Sequence, residues 1–315
     1  MAEVEGGGRA RKSLGWFASL PGNVRGALWV LASCVLFTLM IVLAKYLGGR
    51  LDSMQVAFFR ALFGLIVIVP FLVRAGHAEG GFRTKVLPVQ LARGVIGTLA
   101  MLCGFYAITH LPLADAQSLS FARALFLTPL AMLIIGERAG WRRIAATGVG
   151  FVGVLIMLRP TGAIQPAALV ALTGAVFVAL AIILVKIASR HDHPITLMFY
   201  TGAVGVVVSG IPAAYVWVAP DWSEWVLLAL MGSTGAAAHN CFIRGYAAGE
   251  ATAVAPFEYA TLIFAAIAGY FVFADVPDIW TGVGAAVIVG SSLYIVRREA
   301  KTGKKLASAD QTPVP

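Results

Sequence analysis

The same tetrapeptide occurs near the end of each half of the chain, as Thr147-Gly148-Val149-Gly150 and as Thr281-Gly282-Val283-Gly284. Each copy lies in an apolar stretch that begins with tryptophan, Trp141–Leu158 in the first half and Trp280–Val296 in the second. Because nearly half the chain separates the two copies, the repeating unit is much longer than that of a solenoid protein. The sequence therefore predicts two copies of one large unit.

Most of the remaining sequence consists of apolar stretches long enough to cross a membrane. Hydrophobic residues make up 59% of the chain and charged residues 12%, and a helix needs about 20 mostly apolar residues to span a bilayer core. The pattern predicts ten helices, near residues 26–48, 54–73, 89–110, 113–135, 141–158, 166–188, 194–217, 223–245, 250–273 and 279–296. The expected fold class is an all-α integral membrane protein.

Two copies of five helices imply a specific relation between the halves. Because five is odd, the second copy enters the bilayer from the opposite side, and the two five-helix repeats are inverted. The expected division is a cytoplasmic N-terminal segment (1–25), a first repeat (26–160), a second repeat (161–298) and a disordered cytoplasmic tail (299–315).

The distribution of lysine and arginine predicts the orientation, since these cations are retained in cytoplasmic loops. They precede the first helix and fill alternate loops; examples are Arg25, Arg83, Arg138, Arg190 and Arg297. The opposite loops hold acids, namely Asp52, Asp221, Glu224, Asp275 and Asp278, with Arg50 and Arg159 as exceptions. Both termini are therefore expected in the cytoplasm. The net charge of +9 is explained by this topology and by anionic lipid, without nucleic-acid binding.

Two motifs that resemble ligand sites have simpler explanations. Gly148, Gly150 and Gly153 match a phosphate-binding pattern, yet they lie inside an apolar helix and follow no strand, so they favour close helix packing. His191 and His193 lie in one short loop without further ligands, so we expect no metal site there. The three cysteines lie within predicted helices, where we expect them to pack as small apolar residues. No cofactor is expected.

Two opposite charges are predicted near the middle of the membrane, where an ionised side chain costs about 2.5–3.5 kcal/mol even on the lenient insertion scale. Arg123 belongs to the fourth helix and Glu258 to the ninth, and these helices are repeat partners. Aligning Ser120–Arg123 with Pro256–Tyr259 puts the charges one position apart. Inverted-repeat transporters gather their binding sites at such places.

Other polar and aromatic side chains are expected to share a cavity with this pair. The full set of candidate substrate-binding residues is Arg123, Glu258, Tyr259, Gln117, Phe121, Phe257, Arg60, His239 and Asn240. Pro129 and Pro256 are expected to interrupt the fourth and ninth helices and to free backbone carbonyls. Pro70 and Pro212 occupy corresponding places in the second and seventh helices and could serve as hinges.

Structural interpretations remain open for several of these residues. Arg123 and Glu258 could form a salt bridge that only locks the bundle. Arg60 could extend its guanidinium to the outer interface. Lys45 and Lys186, close to helix ends, are better explained as interfacial anchors of that kind.

Motifs in both halves resemble the EamA-type repeat of the drug/metabolite transporter superfamily. In the first half they are Ala114-Asp115-Ala116, Gly136-Glu137-Arg138, Gly150-Phe151-Val152-Gly153-Val154 and Arg159-Pro160. In the second half they are Ala255-Pro256-Phe257-Glu258-Tyr259 and Phe273–Asp278, with Asp275 where glutamate is commoner. The resemblance covers roughly residues 26–298. It implies ten helices in two inverted repeats, a bacterial inner-membrane location and transport of a small organic solute.

A narrower resemblance concerns the first hairpin. Lys45-Tyr46-Leu47-Gly48, Arg50-Leu51, Val56-Ala57-Phe58-Phe59-Arg60 and Pro70-Phe71 are similar to the first hairpin of S-adenosylmethionine uptake carriers of intracellular bacteria. This resemblance makes S-adenosylmethionine a candidate substrate, and the opposite charges of Arg123 and Glu258 favour an amino-acid-like zwitterion. Other carriers of the superfamily move riboflavin or other metabolites, inward or outward, so a vitamin carrier or an exporter is the alternative.

We therefore expect a secondary transporter that works by alternating access, in which Arg123 binds a substrate carboxylate and Glu258 an ammonium or a coupling proton. The expected partners are the lipid bilayer and a small-molecule substrate, with or without a coupled proton or counter-substrate, and the expected state is a monomer or homodimer. An enzyme that modifies lipids is less favoured, because such chemistry usually presents clustered carboxylates or histidines at an interface.

Overall fold

The structure is a computed structural model that describes residues 20–78, 84–136, 140–158, 165–192, 194–249 and 254–309. These residues form helices and no strand. In chain order they are α1 (Gly22–Leu47), α2 (Ser53–Ala78), α3 (Leu87–His110), α4 (Leu113–Ser120 and Arg123–Ile135), α5 (Trp141–Leu158), α6 (Pro166–Ala188), α7 (Pro194–Tyr215), α8 (Trp222–Ala248), α9 (a 3₁₀ turn Ala255–Tyr259, then Ala260–Phe273) and α10 (Ile279–Ala309).

The all-α membrane fold is confirmed. Seven helices, α1, α3, α4, α6, α7, α8 and α9, are long and apolar enough to cross a bilayer. The remaining three contain shorter apolar segments, Ser53–Val67 in α2, Ile144–Met157 in α5 and Ile279–Ile295 in α10. Every predicted helix has its counterpart, and most ends agree within a few residues.

The end of α10 differs from the expectation. The tail was expected to be disordered from residue 299, whereas α10 continues to Ala309. Alanine and lysine make up six of the eleven residues of this extension, and both have high helix propensity. Residues 1–19 and 310–315 lie outside the described part of the chain.

The helix contacts show the symmetry of two inverted repeats. Exchanging each helix with the one five places away maps the most extensive contacts between helices onto one another: α1 packs on α8 as α6 packs on α3, α2 on α8 as α7 on α3, and α9 on α1 as α4 on α6. The pairs α2/α7, α4/α9 and α5/α10 map onto themselves, and each pair is in contact. Such a pattern is typical of repeats related by a pseudo-twofold axis in the membrane plane.

The repeated tetrapeptides lie where α5 meets α10. A Cβ placed on Gly153 would lie 2.9 Å from the carbonyl oxygen of Gly284, and one placed on Gly284 would lie 2.7 Å from that of Gly153. A Cβ placed on Gly150 would meet only the side chains of Leu125 and Ser291, whereas Gly148 faces open space. Small residues at Gly150, Gly153 and Gly284 therefore allow close helix packing in lipid.

Two ion pairs connect the repeats at the end of the bundle where α1 ends and α2 begins. Lys45 Nζ lies 2.5 Å from Asp275 Oδ2 and donates a 3.0 Å hydrogen bond to the carbonyl of Leu111. Arg50 Nε donates to Glu224 Oε1 at 2.5 Å. Lys45, which was predicted to be an interfacial anchor, thus also has an acidic partner from the other repeat.

At the opposite end, Asp192 connects the α6–α7 loop to the start of α3. Its carboxylate accepts hydrogen bonds from the Thr84 hydroxyl, from the Lys85 N–H at 2.9 Å and from the Gln90 amide at 2.8 Å. Burial by itself would raise the pKa of Asp192, but these donors outweigh it and hold that pKa below its usual value. Among the described residues no group of potential metal ligands occurs here or elsewhere.

Candidate functional site

Helices α4 and α9 change their winding at the positions that the repeat alignment pairs. In α4 the α-helix is interrupted at Phe121 and Ala122, where Ala122 N–H donates to the carbonyl of Leu119 at 3.0 Å, three residues back. In α9 the corresponding segment is the 3₁₀ turn Ala255–Tyr259. Tighter winding inside a membrane helix marks functional positions in many transporters, because it exposes backbone groups to a cavity.

The two prolines have different roles in these breaks. Pro256 lies in the first turn of the 3₁₀ segment, where a missing N–H leaves no bond unmade. Pro129 was expected to interrupt α4, but it lies inside the continuous helix Arg123–Ile135. That expectation was wrong, since the break comes two turns earlier and is stabilised by the three-residue hydrogen bonds around Ala122.

Arg123 and Glu258 face each other across these breaks. Arg123 Nη2 lies 3.5 Å from Glu258 Oε2, and their side chains retain 30% and 21% of their accessible surface. A buried salt bridge that stabilises a fold needs close geometry and exclusion of water to offset the desolvation of its charges. The longer distance and the remaining accessibility therefore favour a site that a ligand can enter.

Other helices complete the surroundings of this pair. The Tyr246 hydroxyl of α8 donates a short hydrogen bond to Glu258 Oε1. Cys34 Sγ of α1 donates to the carbonyls of Phe257 at 3.5 Å and Glu258 at 3.7 Å. Glu258 is thus contacted by α1 through its backbone carbonyl and by α4 and α8 through its carboxylate.

Aromatic rings from both repeats flank the arginine. The guanidinium carbon of Arg123 lies 4.8 Å from the ring centroid of Phe121, and the rings of Phe121 and Tyr259 are 4.7 Å apart. A cation over an aromatic face is stabilised by the ring quadrupole. The site therefore offers an anionic group, a cationic group and an aromatic surface within one small region.

Three predicted residues do not contact the pair. Gln117 precedes Arg123 by six residues, about 9 Å along α4, and among the described contacts its side chain bonds to neither charge. Phe257 exposes 39% of its surface and contributes only its carbonyl, and Asn240 is exposed on α8.

Arg60 and His239 form a second group. Arg60 Nη1 lies 3.9 Å from Met101 Sδ of α3, and His239 lies within electrostatic range of that guanidinium. A Cβ placed on Gly235 of α8 would lie 3.7 Å from Arg60 Nε. The guanidinium therefore lies against α3 and α8 and does not extend to the membrane surface.

Sequence analysis missed Tyr246 because the eighth helix was predicted to end at residue 245. The spacing of His239, Phe242 and Tyr246, three and then four residues, would have placed them on one helix face. In the structure the Phe242 ring lies 4.8 Å from that of Tyr246 and 6.4 Å from that of His239. This aromatic face of α8 connects the two groups of charges.

Comparison with known proteins places this arrangement among bacterial transporters. The sequence pattern of the EamA-like transporter family matches residues 24–159 and again residues 165–297. The S-adenosylmethionine uptake transporter of Rickettsia prowazekii is 35% identical over 285 residues, covering 90% of this chain and 96% of the relative. The pseudopaline exporter CntI of Pseudomonas aeruginosa is 30% identical, with 86% and 96% covered. The riboflavin transporter of Vibrio cholerae is 29% identical, with 90% and 96% covered.

A solved structure supports the fold independently. A crystal structure superposes with a TM-score of 0.57 at 20% sequence identity, and the match covers 87% of this chain and 98% of the other. Identity at this level bears on the fold alone. Because the family pattern matches both halves of the chain, this protein belongs to the EamA-like transporter family, as a membrane metabolite transporter.

Proposed function

We propose that this protein carries S-adenosylmethionine, or a zwitterion of similar chemistry, across the bacterial inner membrane by alternating access. The observation that carries the proposal is the accessible Arg123–Glu258 pair, which lies on the two repeat-related helices whose winding changes at the same place. Transport uses the gradient of the substrate or of protons and requires no nucleotide hydrolysis and no catalytic chemistry.

The chemistry of the pair suits a substrate with an amino-acid group. A guanidinium binds a carboxylate through two parallel hydrogen bonds. The Glu258 carboxylate can bind an ammonium or a sulfonium, and the rings of Phe121 and Tyr259 stabilise a cation held above them. The name of the Rickettsia prowazekii relative points to the same substrate.

The alternative is a riboflavin carrier or a metabolite exporter, as the names of two other relatives suggest. Riboflavin has no ammonium and no carboxylate, so it would leave the charges of Arg123 and Glu258 without direct partners. A lipid-modifying enzyme is less favoured, since the opposed acid and base lie between broken helices and not at the membrane surface.

A thermal-shift screen of the purified protein tests the proposal. S-adenosylmethionine should raise the melting temperature in a concentration-dependent way, because a ligand that binds the folded state stabilises it by mass action. Riboflavin, nucleosides and common amino acids serve as the comparison set. Stabilisation by riboflavin alone would replace the proposed substrate with the alternative.

Labelling of single cysteines tests the proposed orientation, with both termini in the cytoplasm. In a background without Cys34, Cys103 and Cys241, an impermeant reagent added to intact cells should modify Trp222→Cys and Pro277→Cys but not Gly140→Cys. The reason is that acidic loops lie outside and cation-rich loops inside. Modification at position 140 would show that the orientation is reversed.

A further inference from the structure

Arg60 is a cation inside the helix bundle that has no acidic partner among the described residues. Met101 Sδ, at 3.9 Å, is its one recorded hydrogen-bond acceptor. A thioether is a weak acceptor and carries no charge. By contrast, Arg93 of the same repeat hydrogen-bonds to the Gln90 amide oxygen at 2.9 Å and to the carbonyl of Leu197 at 2.5 Å.

The space around Arg60 is interior to the bundle. Its guanidinium lies near Met101 of α3 and Gly235 of α8, and Gly235 is packed in turn against Met40 of α1. The described residues do not completely shield the unpartnered nitrogens of Arg60 from solvent. Because these donors have no partner and keep some accessible surface, water or a ligand can reach them.

His239 adjoins this space on α8 and is itself exposed. It lies one turn after Gly235 and within electrostatic range of Arg60. An uncompensated cation in low dielectric is costly unless something neutralises it. The region around Arg60 and His239 therefore attracts an anionic or electron-rich group.

Two helices give the same distance between this region and Glu258. Along α8, His239 precedes Tyr246, the hydrogen-bond partner of Glu258, by seven residues, or about 10 Å. Along α1, Met40 lies beside Gly235 and Cys34 contacts the backbone of Glu258, six residues away, or about 9 Å. The ring of Phe242 lies between the two ends.

We propose that Arg60 and His239 form a second substrate subsite, which accepts a hydrogen-bond-accepting, electron-rich group at the far end of an elongated substrate. The inference rests on the proposed function for the first subsite, at Arg123 and Glu258. An ordinary α-amino acid, whose ammonium and carboxylate share one carbon, cannot reach both subsites. A molecule with an amino-acid group at one end and a heteroaromatic ring at the other can do so.

The first test measures the melting temperature without any ligand. Replacing Arg60 with methionine removes a cation that no acid among the described residues neutralises, so Arg60→Met should melt at or above the wild-type temperature. The matched control Arg93→Met removes a hydrogen-bonded guanidinium and should melt lower. A lower melting temperature for Arg60→Met would mean that Arg60 supports the fold, and the second subsite would be rejected.

The second test compares two ligands that share one end. S-methylmethionine has the sulfonium amino acid of S-adenosylmethionine but lacks its adenosyl group. Wild-type protein should bind S-adenosylmethionine at least about tenfold more tightly, the scale of one hydrogen bond to a charged group. In Arg60→Met that preference should disappear while the affinity for S-methylmethionine stays unchanged. A preference that persists in Arg60→Met overturns the inference.

The two failures are distinguishable. If neither sulfonium compound binds the wild type, the proposed substrate is wrong, and the melting temperature of Arg60→Met still decides whether Arg60 is an uncompensated binding group. If both compounds bind and the preference does not depend on Arg60, the first subsite stands and the second is rejected.

Discussion

Transport by the Arg123→Ala protein is expected to fall by about two orders of magnitude, while the protein still inserts and purifies as a folded species. Removing one partner of a hydrogen-bonded charge contact costs about 2–5 kcal/mol of binding free energy. The melting temperature should change little, because the remaining carboxylate of Glu258 is accessible enough to be hydrated. Uptake into proteoliposomes and thermal unfolding of the same preparation provide the two measurements.

Two variants separate a binding role from a structural one. Leu133→Ala serves as a control on the same helix, since its side chain is 81% exposed on the bundle surface, and it should transport normally. The double variant Arg123→Ala/Glu258→Ala removes both charges. A structural bridge predicts that each single variant loses about 3–5 kcal/mol of stability and that the double variant regains much of it. A substrate site predicts that the single and double variants are all stable and that the double variant does not regain transport. Unstable single variants and a more stable double variant would show that the pair supports the fold.

Glu258→Gln is expected to remove the response of transport to a pH gradient. Glu258 is the acid that the structure places between α1, α4 and α8, where a coupling proton would compete with Arg123 or with the substrate cation. In proteoliposomes, an imposed pH difference should change substrate accumulation by the wild type. The neutral amide should leave only exchange that is driven by the substrate gradient.

The control for this experiment is exchange at equal pH on both sides, which Glu258→Gln must retain for the comparison to be valid. A full pH response in Glu258→Gln would exclude proton coupling through this residue. If the wild type itself shows no response, the carrier is an exchanger or a facilitator driven by substrate alone.

The helices were predictable because the bilayer imposes a length and a hydropathy on each of them. The ten helices, the five-helix repeat and the placement of Arg123 and Glu258 on repeat-related helices all follow from spacing along the chain. That the side chains of Arg123 and Glu258 face each other was also predictable, because the repeat-related helices α4 and α9 meet near the pseudo-twofold axis. The distance of 3.5 Å between the two side chains required the structure.

Details that depend on local winding or on tertiary contact were not predictable. The break of α4 lies at Phe121 and Ala122 and not at Pro129, because three-residue hydrogen bonds form there without any proline. Lys45 is near a helix end, where composition alone cannot distinguish an anchor from an ion pair with Asp275, 230 residues away. Tyr246 lay just outside a predicted helix end, and ends are the least predictable feature of a helix.

Counterflow in proteoliposomes tests the central claim most directly. Vesicles that contain wild-type protein and no nucleotide are preloaded with unlabelled S-adenosylmethionine and diluted into a trace of the labelled compound. Labelled substrate should accumulate transiently inside, and it should not accumulate in vesicles that contain Arg123→Ala or in wild-type vesicles preloaded with riboflavin. Absence of accumulation in the wild-type vesicles, or equal accumulation with Arg123→Ala, would contradict the assignment of Arg123 and Glu258 as the substrate site of an S-adenosylmethionine carrier.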